Sequence, residues 1–342
     1  MGWKVCFMCG LKCNVNLYPQ PMLAVSAAAF RPIGGFCLQL ALCAIIVSNA
    51  APALTVESSS RSIAVATNLA TGTSSSVAFS NLVTQAISQG TKPGTTLHEM
   101  RIEVQDRSAW ESAGKETTNW FTAQVSEGDR SWTNVGVRLQ GRSTRRPPGH
   151  HPSLTLKFNQ SGAGEEFHGM TKFHLRNAAY NPTYLNEYMG YGVFRRAGLP
   201  APRVEFALIT VNGVSPELYV LVEGISKTFL EREFGSREGN LYEGENADVD
   251  GPLHQGNRDR QTGGQDLAPL LAALRNPALT NGLEELRKVL NVDEFARFMA
   301  VEILVGHRDG YCLQTNNYRL YHDPADDRFA FLPHGLDAIL AN

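Results

Sequence analysis

The stretch His307–Asp337, HRDGYCLQTNNYRLYHDPADDRFAFLPHGLD, constrains this chain more than any other. An apolar helical pattern containing Phe295, Phe298, Met299, Ile303 and Leu304 delivers the chain to His307, with Asn291 or Asp293 as its cap. Asp309 follows. Then come Asn316 and Asn317, a short strand over Tyr318–His322, an Asp-Pro turn, a second strand over Phe329–Leu332, and a second acid, Asp337. A hairpin between the Asn pair and Asp337 brings both ends of the segment into one cleft. Phosphoryl transfer uses such a set: one Asp aligns the attacking hydroxyl, while an Asn and a second Asp hold a divalent cation on the phosphates.

The order Asp, Asn, hairpin, Asp is that of the protein-kinase catalytic segment, but the spacing differs. The kinase pattern places Asn five residues after Asp; here Asn316 and Asn317 stand seven and eight residues on. The His-Arg-Asp triplet alone says little. Helix C-termini favour His and Arg, and Asp suits a turn.

The 342 residues suggest about two domains. A formal net charge of −2 gives no global basic excess, so nucleic acid is not an expected partner. Five of the six cysteines lie in the first 43 residues, and only Cys312 lies beyond them. The Cys6, Cys9, Cys13 cluster lacks a second ligand pair at zinc-finger spacing. Residues 1–53 read as a signal segment. Phe36–Val47 is an apolar run too short for a usual membrane span, Arg31 precedes it, and Ser48-Asn49-Ala50 offers small residues for cleavage after Ala50, or after Ala53. Met22 is a candidate start. Export without a stable membrane span is therefore expected. Residues 54–96, rich in Ser, Thr, Ala and Gly, read as a low-complexity linker.

From Leu97 the chain reads as packed, with a β-rich portion over 97–224 and a second portion over 225–342. Strands are predicted at His98–Gln105, Trp120–Val125, Asn134–Gln140, Ser153–Phe158, Phe173–Arg176, Val204–Asn212 and Leu218–Val222. A helix is predicted from Asn181-Pro182-Thr183 to Ala197. The Gly141-Arg142-Ser143 turn is Gly-led and opens an Arg-rich run; such a turn can lie over phosphates, although taken alone it is a solvated hairpin loop. Lys157 ends the strand after that turn and faces away from Leu154, Leu156 and Phe158. Glu187 lies near the Tyr184, Tyr188, Tyr191 stripe of the helix. A helical Glu meeting a strand Lys is a recurring kinase device, and a surface carboxylate is the other reading. Glu223 ends an apolar strand at a point where backbone groups can meet an adenine; an ordinary strand end fits equally. Asn246–Gly251 touches the calcium-loop pattern, but Asn257 stands where a bidentate Glu is needed.

The ordered set Lys172–Arg176, Tyr184–Gly198, Val211–Gly213, Tyr219–Glu223, Phe229–Phe234, Gly239–Tyr242, Asp309–Tyr311, Asn317–Tyr321 and Phe331–Asp337 resembles the CotH (spore coat protein H) family of atypical protein kinases, over residues 97–342. The resemblance implies an α+β, two-lobed atypical protein-kinase-like fold, here with a truncated C-lobe because the chain stops five residues after Asp337. It implies transfer of the ATP γ-phosphate to Ser or Thr of secreted or coat proteins, with Mg²⁺ or Mn²⁺. Carried over, Asp309 is the catalytic-loop acid, Asn317 and Asp337 are metal ligands, and the Gly141–Ser143 turn matches the family's Gly-x-Ser loop. Lys157 is the candidate phosphate Lys, with Lys172 as the fallback. Pro333–Asp337 departs from the family's Pro-Trp-Asp-x-Asp pattern, with His334 and Gly335 in place of Trp and the first acid. Pro152 stands where the family has Lys. A non-catalytic structural or binding protein on the same fold is the alternative; a phosphoesterase would need more clustered His and Asp ligands.

Overall fold

In the computed structural model, the described residues are 54–56, 63–65, 97–141, 144–158, 165–256, 264–275 and 279–340; side chains of 54–56, 63–65 and 279–281 are not described. The signal segment read over 1–53 therefore lies outside the described residues. Within 54–96, β1 (Leu54–Val56) and β2 (Ile63–Val65) pair antiparallel.

Seven strands build a closed barrel: β3 (Leu97–Val104), β4 (Phe121–Glu127), β5 (Arg130–Gln140), β6 (Ser153–Lys157), β7 (Lys172–Arg176), β8 (Val204–Val211) and β9 (Glu217–Glu223). Their order around the barrel is β3-β4-β5-β6-β7-β9-β8. All neighbours are antiparallel except β3 and β8, which pair in parallel from Leu97↔Phe206 to Ile102↔Val211 and close the barrel. Alternation explains the strands. On β3, Met100, Ile102 and Val104 point inward, and on β5 so do Val135, Val137 and Leu139; Leu154, Leu156, Phe173 and Leu175 complete the lumen.

A second sheet of four strands follows, in the order β11-β10-β12-β13, with β10 (Asn240–Gly244), β11 (His254–Gln255), β12 (Tyr318–Asp323) and β13 (Arg328–Pro333). Helix α1 (Arg107–Glu111) lies between β3 and β4, α2 (Asn186–Arg196) between β7 and β8, and α3 (Lys227–Phe234) after β9. Helices α4 (Ala268–Leu274), α5 (Leu279–Val289), α6 (Val292–Leu304) and the short α7 (Tyr311–Gln314) complete the set among the described residues. The larger core joins the barrel's outer face to these elements: Val220 and Val222 of β9 and Tyr191 and Phe194 of α2 share it with Phe295 and Phe298 of α6 and Phe331 of β13.

This architecture corrects the expectation of an α+β, two-lobed kinase-like fold with a truncated C-lobe. The β-rich portion is a closed barrel, and strands outweigh helices. The reason is the β3–β8 pairing. It joins residues more than 100 positions apart, whereas local alternation reports only which face of each strand is apolar. The predicted helix from Asn181 also starts later, at Asn186. Asn181 Oδ1 accepts from the Thr183 N–H and hydroxyl, and Tyr184 has a left-handed φ of 62°, so this segment is a turn. Among the described residues no helix is long and apolar enough to cross a membrane.

Candidate active site

The site is built on β7, whose sequence Lys-Phe-His-Leu-Arg has period two. Phe173 and Leu175 fill the barrel, so Lys172, His174 and Arg176 face the other way. Register then fixes their neighbours. Lys157 lies opposite Lys172 and Thr155 opposite His174, while Arg138 of β5 lies opposite Thr155. The Thr155 hydroxyl is 3.0 Å from His174 Nδ1. Arg319 of β12 approaches from the second sheet, paired with Glu243 at 3.3 Å.

The result is a crowded cationic face. Burial pushes the Lys172 ammonium below its usual value, and Arg319, Arg138 and Lys157 push it further, against the pull of Glu243. Burial also drives His174 far down, aided by Lys172, Arg176, Arg319 and Arg138. His334, just after β13, is driven far down by burial and by Arg319 and Arg176. Both imidazoles are neutral at pH 7. Gly224 gives the Lys172 stem its room: a Cβ there would sit 2.8 Å from Lys172 Cγ.

At the far end of β7 the Arg176 Nε lies 3.6 Å from Glu187 Oε1 on α2. Glu187 is 3% exposed, and neither of these two atoms has a hydrogen-bond partner. Burial raises the Glu187 carboxyl to about 7; the charge of Asp337 adds to this and Arg176 opposes it. Asp337 reaches this pair because α2 docks on its turn. Asn186 Nδ2 donates to the carbonyls of Asp337 (2.9 Å) and Ile339 (3.0 Å). Gly190 lets Leu336 and Ile339 pack directly on the helix, for a Cβ there would lie 2.7 Å from Ile339 Cδ1.

The Asp309 loop is held from beneath by Glu302, a fully buried carboxylate at the end of α6. It accepts from the N–H groups of Tyr311 (3.2 Å) and Cys312 (2.8 Å), and its Oε1 is 3.0 Å from His307 Nδ1. The other ring nitrogen, His307 Nε2, donates to the Gly335 carbonyl at 3.1 Å. This chain of contacts ties the Asp309 loop to the Asp337 loop. Asn317 Nδ2 donates to the Asp309 carboxylate at 2.8 Å and to its carbonyl at 3.0 Å. Gly335, with φ of 61°, lies so close to the Asn317 amide that a Cβ would be 2.7 Å from Oδ1.

The sequence-derived residues thus fall into place unevenly. Asp309 and Asn317 touch, and Gly335 brings the Asp337 turn against Asn317. Glu187 meets Arg176 instead of the expected Lys157, which sits on the same face one strand further away. Lys172, the fallback, is the lysine at the centre of the cationic face. Glu223 does not offer its N–H to a ligand: that group donates to the Arg203 carbonyl (2.9 Å), and its carboxylate binds Arg203 and Arg232. Gly141 has φ of 105° and would clash with Thr144 if it bore a Cβ, while Arg142 and Ser143 lie outside the described residues. Arg138, Arg176, Arg319, Glu243 and Glu302 escaped the sequence reading. The alternating basic residues of Lys172–Arg176 were the available signal.

A protein-family description, CotH kinase protein, matches residues 137–342, which is more than half of the chain. The chain belongs to the CotH family. The matched span contains β6, β7, α2 and the whole Asp309–Asp337 segment, so the site lies within the CotH region. Among curated proteins, "Invasin CotH2" of Rhizopus delemar is 23% identical over 229 residues, covering 61% of this chain and 38% of the relative. "Invasin CotH3" of the same organism is 23% identical over 229 residues, covering 60% and 37%. "Inner spore coat protein H" of Bacillus subtilis is 20% identical over 187 residues, covering 50% and 51%. The match spans about half or less of the length of each of these relatives.

Proposed function

We propose that this CotH-family chain is an exported phosphotransferase that moves the γ-phosphate of ATP to a Ser or Thr hydroxyl of a secreted or surface protein. The observation that carries the reading is the cationic face around Lys172. Half-buried cations that repel one another are costly unless an anion completes the site. A polyphosphate has the charge to do so, and Arg138, Arg176 and Arg319 provide planar forks for its oxygens. The names of the spore-coat and invasin relatives support export, as does the secretory pattern in residues 1–53.

The donors around Asn317 are carboxylate and amide oxygens, the type that Mg²⁺ and Mn²⁺ take. Asp337 and the Asn317 amide oxygen would hold such an ion, which when bound supplies positive charge against the phosphates. The chain's own residues do the rest. Asp309, exposed and steadied by Asn317, orients the acceptor hydroxyl and takes its proton. Lys172 and Arg176 stabilise negative charge on the transferring group, and Glu187 positions Arg176. Glu302 and His307 keep the two acidic loops in fixed relation, so that stabilisation is preorganised.

Gly335, where the family pattern has an acid, favours a second reading: an ATP-binding or anion-binding protein without transfer. Calorimetric titration of the full chain with ATP, with and without Mn²⁺, and an assay of labelled-phosphate transfer to a casein-type acceptor separate the two. The proposal expects Mn²⁺-dependent binding and transfer, both weakened at least tenfold by Asp337→Asn. Binding without transfer supports the second reading. A folded chain that binds no nucleotide sinks the phosphotransferase reading.

A further inference from the structure

The barrel lumen is apolar along most of its length, yet three of its inward rows end in polar residues at the same mouth. Inward Met100 and Ile102 on β3 are preceded by His98; Ala123 and Val125 on β4 are followed by Glu127; Ala207 and Ile209 on β8 are preceded by Glu205. Over this mouth lies a tight turn. Phe167 and Met170 bridge, and between them His168 and Gly169 both have positive φ, 48° and 78°. That is a two-residue hairpin of the primed type, for which Asn-Gly is the commonest sequence. Here His takes the first position. Its ring aims Nε2 at Glu127 Oε2, 2.6 Å away. His98, 3% exposed, packs against Phe167 and His168, and its Nδ1 lies 2.6 Å from Glu127 Oε1.

We infer that His98 Nδ1, His168 Nε2 and a Glu127 carboxylate oxygen form a binding site for a Zn²⁺-type divalent ion, with Glu205 orienting His98. The three ligand atoms already lie within 4.8 Å of one another. Tetrahedral Zn²⁺ with bonds of ~2.0–2.1 Å needs ligand atoms about 3.4 Å apart, so small side-chain rotations suffice. Two imidazoles and one carboxylate suit zinc better than Mg²⁺ or Ca²⁺, which take oxygen. Glu205 Oε2 stands 2.5 Å from His98 Nε2. It accepts that N–H, which leaves Nδ1 as the ligand; this is the carboxylate–histidine–zinc arrangement. A fourth position is left for water.

The site shares no residue with the Asp309–Asp337 segment. It joins β3, β4 and the turn before β7, and through Glu205 it reaches β8. It is therefore a staple across the parallel β3–β8 seam that closes the barrel.

The test uses the full chain, stripped with a chelator and dialysed against Zn²⁺ in excess Mg²⁺, which occupies oxygen-donor sites. Bound metal is counted by mass spectrometry, the midpoint of thermal unfolding is followed, and Co²⁺ is substituted as an optical probe of tetrahedral ligation. His168→Asn is the informative variant, because Asn-Gly suits the turn while the ligand is removed. One zinc per chain, a raised midpoint and tetrahedral Co²⁺ bands are expected. Affinity should fall at least tenfold in His168→Asn and Glu127→Gln and stay unchanged in Asp337→Asn. No stoichiometric zinc in the native chain overturns the inference. So does zinc that survives His168→Asn and Glu127→Gln undiminished, or zinc that is lost with Asp337→Asn.

Discussion

Glu187 makes the stability of this fold depend on pH in a direction opposite to that of most carboxylates. A rise from the ordinary 4.5 to about 7 penalises the ionised form by about 3 kcal/mol, at ~1.4 kcal/mol per pKa unit. Between those two pH values the folded chain holds a proton that the unfolded chain has released. Stability therefore falls as pH rises through this window and is flat above it. Glu187→Gln removes the slope. Other groups titrate alike in both proteins, so the difference in unfolding free energy isolates Glu187. Urea unfolding of native and variant chains at pH 4.5 and pH 8 is the assay. The variant should gain about 3 kcal/mol relative to the native chain between the two. The penalty already includes the attraction of Arg176, 3.6 Å away, and the repulsion of Asp337. In an Asp337→Asn background the gain should shrink. A difference that stays constant within ~0.5 kcal/mol would refute the argument, for it would mean that the carboxylate is ionised and satisfied throughout.

Lys172→Met should weaken ATP binding at least tenfold by calorimetry and leave folding stability equal or higher, because it removes a half-buried cation from a cationic face. Glu302→Ala strands the N–H groups of Tyr311 and Cys312 and the His307 ring; chemical denaturation should show a loss of about 3–5 kcal/mol. Gly335→Ala forces a side chain into left-handed backbone and against the Asn317 amide, 2.7 Å from its Oδ1. A loss of ~1–2 kcal/mol from the backbone is expected, together with weaker Mn²⁺-dependent ATP binding as Asn317 is displaced from Asp309.

Most barrel strands were legible because each lines a lumen on one side, so its apolar residues alternate. The predicted Asn134–Gln140 and Ser153–Phe158 lie within one residue or a few of β5 and β6. β10 was not legible. Asn-Leu-Tyr-Glu-Gly is short, ends in Gly and does not alternate. It becomes a strand because Gly239 and Gly244 let its backbone lie against the rings of Tyr321 and Tyr318 in β12, where any Cβ would come within 2.5 Å. That contact comes from the partner strand, more than 70 positions away.

The same limit explains the site. Alternation correctly turned Lys157 away from the apolar face, and it turns Lys172 and Arg176 the same way. Which of the three meets Glu187 depends on the order of β6, β7 and β9 around the barrel and on where α2 crosses it. Neither is encoded within any one strand. The Asp309–Asp337 segment was more legible because its parts are close in sequence: one hairpin, β12–β13, joins Asn317 to the Gly335 turn. What the segment does not contain is its support. Glu302 lies a helical turn upstream of His307, and its pattern there is that of an ordinary charged residue in an apolar helix. Only when the chain turns back after α6 do the His307 ring and two backbone N–H groups converge on it. A buried carboxylate with three partners then fixes the loop that carries Asp309, and through His307 it fixes the Gly335 carbonyl as well. Two acids 28 residues apart in sequence are thereby held by a third that lies beneath their loops.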